Sequence, residues 1–247
     1  KNNRLRTLVF IKSEIMKLYT YGAHIKSRID DNESHKHLCY QICSSPNKIS
    51  IVIEEEKLDL QPFQRVLINI DIKHRLQNGE WENILVDAES KLGNELAEKL
   101  KKEKYLLGFE FDSTKIEELL NHKESGLRPE IKKAIDTIKK HHHNCELDEI
   151  SNSVGISPEH FRRVFKDQVG ITFKNYIKWQ KIKRAISIKS KDQNIGLTDL
   201  AYESGFSDQA HMSKVFKQTF GHTPKEISKK LPELCTGCRN APPRGPG

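Results

Sequence analysis

A degenerate repeat of about fifty residues constrains this 247-residue chain more than any other feature. Glu149-Ile150-Ser151, followed by Val154-Gly155-Ile156-Ser157, returns as Asp199-Leu200-Ala201, followed by Ser204-Gly205-Phe206-Ser207. Each copy runs on to a Phe-Lys pair, Phe165-Lys166 and Phe216-Lys217, and then to Gly170-x-Thr172 and Gly221-x-Thr223. The second copy holds one extra residue between its turn and Phe216. Each copy has the grammar of two helices joined by a sharp turn. A Gly tolerates left-handed backbone at the bend, and a Ser follows as N-cap of the second helix. In the first copy Pro158 stands at the first helical position, where its missing N–H is not needed. Phe161, Val164 and Phe165 form the inward stripe of one second helix, and Met212, Val215 and Phe216 that of the other.

The opposite faces are polar. Glu159, His160, Arg162, Arg163 and Lys166 line one; Asp208, Gln209, His211, Ser213, Lys214 and Lys217 line the other. Such groups hydrogen-bond base edges or phosphates. A single charged helix face is usually only solvated, so the argument rests on two faces in register and on where the charge sits. Residues 1–126 carry 20 Lys and Arg against 21 Asp and Glu, whereas residues 127–230 carry 20 against 12. The basic excess of the chain therefore lies with the repeat, as a polyanion-binding part requires.

Residues of about 128–229 resemble the AraC-type DNA-binding domain over its whole length. The carrying stretches are SVGISPEHFRRVFKDQVGITFKNYI (153–177), WQKIKRA (179–185) and LAYESGFSDQAHMSKVFKQTFGHTPKEI (200–227). The resemblance implies two helix-turn-helix subdomains joined by one long helix, from Phe173 to about Lys189, burying Tyr176, Ile177, Ile182, Ala185 and Ile186. It implies recognition helices at Pro158–Lys166 and Asp208–Lys217, with Glu159, Arg162, Arg163, Gln209, Ala210, Ser213 and Lys214 facing the groove. Arg162 or Arg163 then suits guanine and Gln209 adenine, while Lys166, Lys214 and Lys217 suit phosphates. Ser157, His160, Ser207, Asp208 and His211 complete the expected DNA-contacting set. The implied partners are double-stranded DNA of bacterial promoters and RNA polymerase, and the implied role is transcription regulation.

The first hundred residues read differently. Ile49–Ile53 and Val66–Ile72 are β-branched runs, with turns expected at Pro62 and Asn78-Gly79. Helical spacing begins at Lys91 and returns from Ser113 to Asn121. The expected fold class is α+β with two domains. A cupin-like β-barrel with flanking helices takes residues 1–120, a linker 121–129, an all-α double helix-turn-helix domain 130–230, and a mobile tail 231–247. Leu92, Leu96, Leu100, Ile116, Leu119 and Leu120 serve either packing within the chain or a homodimer interface.

His35, His37, Gln41 and His74 form the second constellation. Alternating histidines share a strand face, and a third from a later strand can join them. The spacing resembles the cupin pattern of sensor domains in many AraC-type regulators, with Gln41 where an acidic ligand would stand. Three readings stay open: hydrogen-bonded structural histidines, a small-molecule effector pocket, or a metal triad. No metal or other cofactor is assigned. No GxSxG, P-loop or HExxH motif is present, so the chain reads as a non-enzyme. Its rival is an N-terminal cupin-type metalloenzyme with an autoregulatory DNA-binding part. His141-His142-His143 reads as a solvated helix end, and Cys235-x-x-Cys238 as half a zinc site without the other half. Five cysteines give no disulfide framework. With no signal peptide and no apolar run of roughly 18 residues, the expected location is cytoplasmic, without membrane contact.

Overall fold

The computed structural model describes residues 15–30, 32–122, 126–140 and 145–227. Nine strands come first: β1 (Ile15–Tyr19), β2 (Gly22–Ile29), β3 (Tyr40–Ser44), β4 (Ile49–Ile53), β5 (Glu56–Leu60), β6 (Val66–Ile68), β7 (His74–Leu76), β8 (Gly79–Val86) and β9 (Tyr105–Leu107). Helix α1 (Lys91–Leu100) precedes β9, and a 3-10 turn at Ser113–Lys115 leads into α2 (Ile116–Asn121). The remaining helices are α3 (Pro129–Lys140), α4 (Leu147–Ser153), α5 (Pro158–Val169), α6 (Phe173–Lys191), α7 (Leu197–Glu203) and α8 (Gln209–Phe220). The two-domain α+β expectation holds. The predicted linker runs from the end of α2 to the start of α3, and His141–His143, Cys235, Cys238 and the tail lie outside the described residues. No helix among the described residues is long and apolar enough to cross a membrane.

The strands form two open antiparallel sheets rather than one closed barrel. Their orders are β1-β2-β8-β3-β6-β9 and β5-β4-β7. Cys43, Ile51, Ile53, Leu60, Val66, Ile68, Leu76 and Trp81 fill the space between the sheets. The other face of the larger sheet, through Tyr40, Ile42, Leu67, Ile84 and Val86, packs on helices. Strand β6 and the end of β8, residues 84–86, are thus covered on both faces, which is why they read as continuous apolar runs without alternation. The run Val66–Ile72 was expected to be one strand, but β6 stops at Ile68. Asn69 Oδ1 accepts from Ile70 N at 2.8 Å, and Asp71 takes φ 63°, so local side-chain bonding and left-handed backbone end the ladder there.

Of the six apolar residues left between packing and dimerisation, Leu92, Leu96, Leu100, Ile116 and Leu120 are buried within the chain. Their cluster also holds Ile131, Ile135, Phe161, Phe165 and Tyr176. Helices α1 and α2 therefore join the sheet to the first helix-turn-helix in one continuous core. A second cluster does the same for the second unit, mixing Met16, Leu38, Cys39 and Leu85 with Trp179, Ile182, Leu200, Met212 and Phe216.

Candidate nucleic-acid interface and the junction behind it

Helices α4 and α5 form the first turn unit, and α7 and α8 the second. Gly155 takes φ 74° and Gly205 φ 85°, the left-handed backbone that the repeat required at each bend. Ser157 caps α5 by accepting from His160 N, and Pro158 opens the helix. In the second unit the cap is not Ser207, as the repeat suggested, but Asp208, which accepts from His211 N at 2.7 Å. Ser207 instead donates to Asp208 Oδ2 at 3.0 Å. The extra residue of the second copy lengthens the turn, so α5 and α8 keep equal lengths of 12 residues. Bonds from the backbone of His211, then from Ser207, hold the Asp208 carboxyl below the usual carboxylate range.

Phe161, Val164 and Phe165 point inward on α5, as do Met212, Val215 and Phe216 on α8. Ser157, Glu159, His160, Arg162, Arg163 and Lys166 are exposed, as are Ser207, Asp208, Gln209, Ala210, His211, Lys214 and Lys217; Ser213 is half-buried. Some of these groups already have neighbours. Arg163 Nη2 lies 3.0 Å from His160 Nδ1. Gln209 Oε1 accepts from Thr198 Oγ1 at 3.2 Å. Ser207 Oγ lies 3.1 Å from His211 Nδ1. Lys217 differs most from expectation: its ammonium pairs with Glu33 at 2.9 Å, and that bond raises its pKa. Sequence spacing carries no sign of this contact, because Glu33 lies in the segment between β2 and β3.

The connector α6 spans 19 residues, about 28 Å at 1.5 Å per residue. Tyr176, Ile182, Ala185 and Ile186 are buried as expected, and Ile177 is half-buried. Trp179 and Gln180 are buried as well. The polar clamp on this helix was not read from the sequence. Asp87 and Glu89, both fully buried just after β8, face it. Trp179 Nε1 donates to Asp87 Oδ1 at 2.6 Å, Lys183 Nζ donates to Asp87 Oδ2, and Tyr176 Oη donates to Glu89 Oε1 at 3.1 Å. Lys139 of α3 reaches Glu89 at 3.5 Å. Burial opposes charge on Lys183, but the facing Asp87 and Glu89 carboxylates outweigh it and raise its pKa. Burial, then the Asp87 charge, raises the Glu89 carboxyl. The only sequence signal was two acids in the run Val86-Asp87-Ala88-Glu89-Ser90, which is otherwise apolar or small.

The structure brings His35, His37 and His74 together. An isolated bridge pairs His35 with His74, and the three ring centroids stand 4.9, 4.6 and 5.0 Å apart. Gln41 is buried nearby and donates to Asn83 Oδ1 at 2.8 Å. Burial lowers the His35 pKa to about 4 and that of His74 to about 3, and holds His37 well below its ordinary value. All three are neutral at pH 7. A cavity of about 140 Å3 opens beside them, lined by His35, His37 and Gln41, by Met16 and Leu85 of the sheet, and by Ile186 and Phe220 of the helices. His74 does not line it; its ring stands 4.6 Å from that of His35.

This cavity lies against the second turn unit. Lys36 N donates to Gln218 O at 3.2 Å, and the His37 ring stands 5.6 Å from that of Phe220. Gly221, which ends α8 at φ 72°, lies so close that a Cβ there would sit 2.7 Å from Glu33 O. The end of α8, the histidines and the cavity form one joint.

A helix-turn-helix domain family model matches residues 150–230. The probable transcription factor PqrA of Proteus vulgaris is 34% identical over 99 residues, covering 40% of this chain and 80% of that protein. An uncharacterized HTH-type transcriptional regulator of Staphylococcus aureus strain MSSA476 is 28% identical over 113 residues, covering 45% of this chain but only 15% of that much longer protein. In fold, the chain is similar to wild-type ToxT of Vibrio cholerae, solved with a bound unsaturated fatty acid. The TM-score is 0.56 at 16% identity, over 89% of this chain and 99% of that one. The paired, capped turn units and these relatives together place the chain: it belongs to the AraC-type family of helix-turn-helix transcription regulators.

Proposed function

We propose that this chain is a sequence-specific regulator that reads two successive major grooves of promoter DNA with α5 and α8, acts through contact with RNA polymerase, and is tuned by a ligand at the joint between its halves. One observation carries the reading: two equal, capped helices, each second in a turn unit, expose polar faces and are tied to one rigid connector. Arg162 and Gln209 are assigned to base edges, and Lys166 and Lys214 to phosphates. Arg162, Lys166 and Lys214 have no hydrogen-bond or ion-pair partner among the described residues, which leaves them available for DNA. The cavity supports the tuning part, since a ligand there touches the sheet and α8 at once. ToxT, with its bound fatty acid, offers a parallel for a small-molecule effector. A homodimer, if formed, uses a surface other than the buried leucines of α1 and α2.

The test is a binding selection on fragmented bacterial genomic DNA at near-physiological salt, where non-specific phosphate binding fades. The expected product is an element with two blocks about one helical turn apart. Arg162→Ala should relax one base position at a cost of about 1–3 kcal/mol. Lys166→Ala should weaken all sequences alike and make the salt dependence shallower. Identical behaviour of both variants on selected and scrambled DNA would overturn the assignment of roles.

A further inference from the structure

We propose that His35, His37 and His74 bind a divalent transition metal of the zinc type, and that the bound metal fastens the end of α8 to the N-terminal sheets. The histidines are 4%, 5% and 1% exposed, and each offers a ligand nitrogen within 4.8 Å of the others. Ligand nitrogens on a tetrahedral zinc stand roughly 3.4 Å apart, given bonds of roughly 2.0–2.1 Å. Modest ring rotations therefore close the set.

The proton arrangement favours a metal. His35 Nδ1 lies 2.8 Å from Glu33 O, and His74 Nδ1 lies 2.8 Å from Ile72 O. A carbonyl only accepts, so both rings carry their proton on Nδ1 and present a lone pair at Nε2. This backbone-oriented imidazole is the usual support of a metal-bound histidine. His74 Nε2 and His37 Nδ1 are buried with no hydrogen-bond partner. Orphaned buried nitrogens are costly, and a shared cation satisfies both. Three neutral imidazoles without a carboxylate select zinc-like ions over magnesium or calcium. Two of the three ligands, His35 and His37, also line the cavity.

The site's position gives it a regulatory consequence. His37 touches Phe220, and Gly221 packs on Glu33 and His35, so a metal holding the histidine segment also holds the end of α8. In that docked arrangement Glu33 engages Lys217, a cation that the family resemblance suits to phosphate, and places a carboxylate beside α8. Metal therefore favours the arrangement with weaker DNA affinity. This consequence rests on the proposed DNA reading; metal binding itself does not.

The experiment uses the full chain with His141, His142 and His143 replaced by Gln and Cys235 and Cys238 by Ser, which removes competing ligands. Zn2+ is titrated in competition with a chromophoric chelator, and Co2+ is followed by its visible absorption. One equivalent should bind, with the intense bands of tetrahedral cobalt and no thiolate charge-transfer band. His74→Gln and, separately, His37→Gln should weaken binding at least 100-fold while leaving the metal-free circular dichroism unchanged. Lack of stoichiometric binding by the parent, or octahedral cobalt alone, would overturn the site even if the variants fail to fold. Unchanged affinity in folded variants would overturn it too. On the genomically selected element, Zn2+ should lower parent affinity at least tenfold and leave the His74→Gln variant unaffected. Metal binding without that change would refute the fastening of α8. Failure of every form to select DNA would instead count against the function proposed above.

Discussion

Replacing Asp87 with Ala tests whether the sheet and the connector helix are held as one unit. Asp87 has no exposed surface, and one carboxylate serves two α6 partners, the indole N–H of Trp179 and the ammonium of Lys183. Truncation leaves Lys183 facing only Glu89, whose carboxyl pKa is raised by burial, and leaves the indole without an acceptor. Breaking a buried ion pair from one side costs about 3–5 kcal/mol, and orphaning a buried donor about 1–3 kcal/mol. The two losses share a group and do not add in full, so the expected cost is about 4–6 kcal/mol. That is comparable to the whole stability of many domains, about 5–15 kcal/mol. Urea unfolding should be followed by far-ultraviolet circular dichroism and by fluorescence in a Trp81→Phe background, where Trp179 alone reports. The fluorescence transition should move to lower urea and separate from the dichroism transition as the junction opens first. Asp87→Asn, which keeps an acceptor but loses the charge, should fall in between. Replacing the pair with apolar groups, Asp87→Leu with Lys183→Met, should recover most of the loss. A cost below about 1 kcal/mol for Asp87→Ala, or no recovery in the double variant, would refute the reasoning.

Three further predictions follow from the geometry. Gly221→Ala meets both left-handed backbone and Glu33 O at 2.7 Å, so it should unseat the end of α8 and speed amide exchange at Lys36; unchanged exchange would contradict the close approach. Ser157→Ala removes the cap of α5 and should cost about 1 kcal/mol in thermal unfolding, with helix content preserved elsewhere. In chelator-treated protein, the folded His35 and His74 resist protonation, with pKa values of about 4 and about 3. The unfolded chain takes up those protons below about pH 6.5, so stability falls as pH drops from 6.5 and levels off below the folded values. For His35 the drop amounts to about 3 kcal/mol by pH 4; a flat urea midpoint between pH 7 and 5 would show that these histidines are not held neutral.

The double helix-turn-helix was legible because its information is local. Caps, left-handed glycines and a 3.6-residue apolar stripe each act within a few residues, so Gly155, Ser157, Pro158 and Phe161 specify their own geometry. The second cap was misplaced by one residue because Ser207 and Asp208 both suit the role, and only the extra turn residue decides between them. The strand run from Val66 was overcounted because apolar patterning does not register the left-handed turn at Asp71.

From sequence alone the chain type, the two helix-turn-helix units and the presence of three noteworthy histidines were determined. The tertiary structure decided how those parts meet. It decided that the sheets stay open in place of a barrel, and the pairing of Lys217 with Glu33 and the clamp of Asp87 and Glu89 on α6 join residues some 90 to 180 positions apart. Periodicity and spacing report only which face a residue occupies on its own element. Which charge finds a partner, and which buried nitrogen does not, depends on packing between elements, and that is where the joint behind α8 came into view.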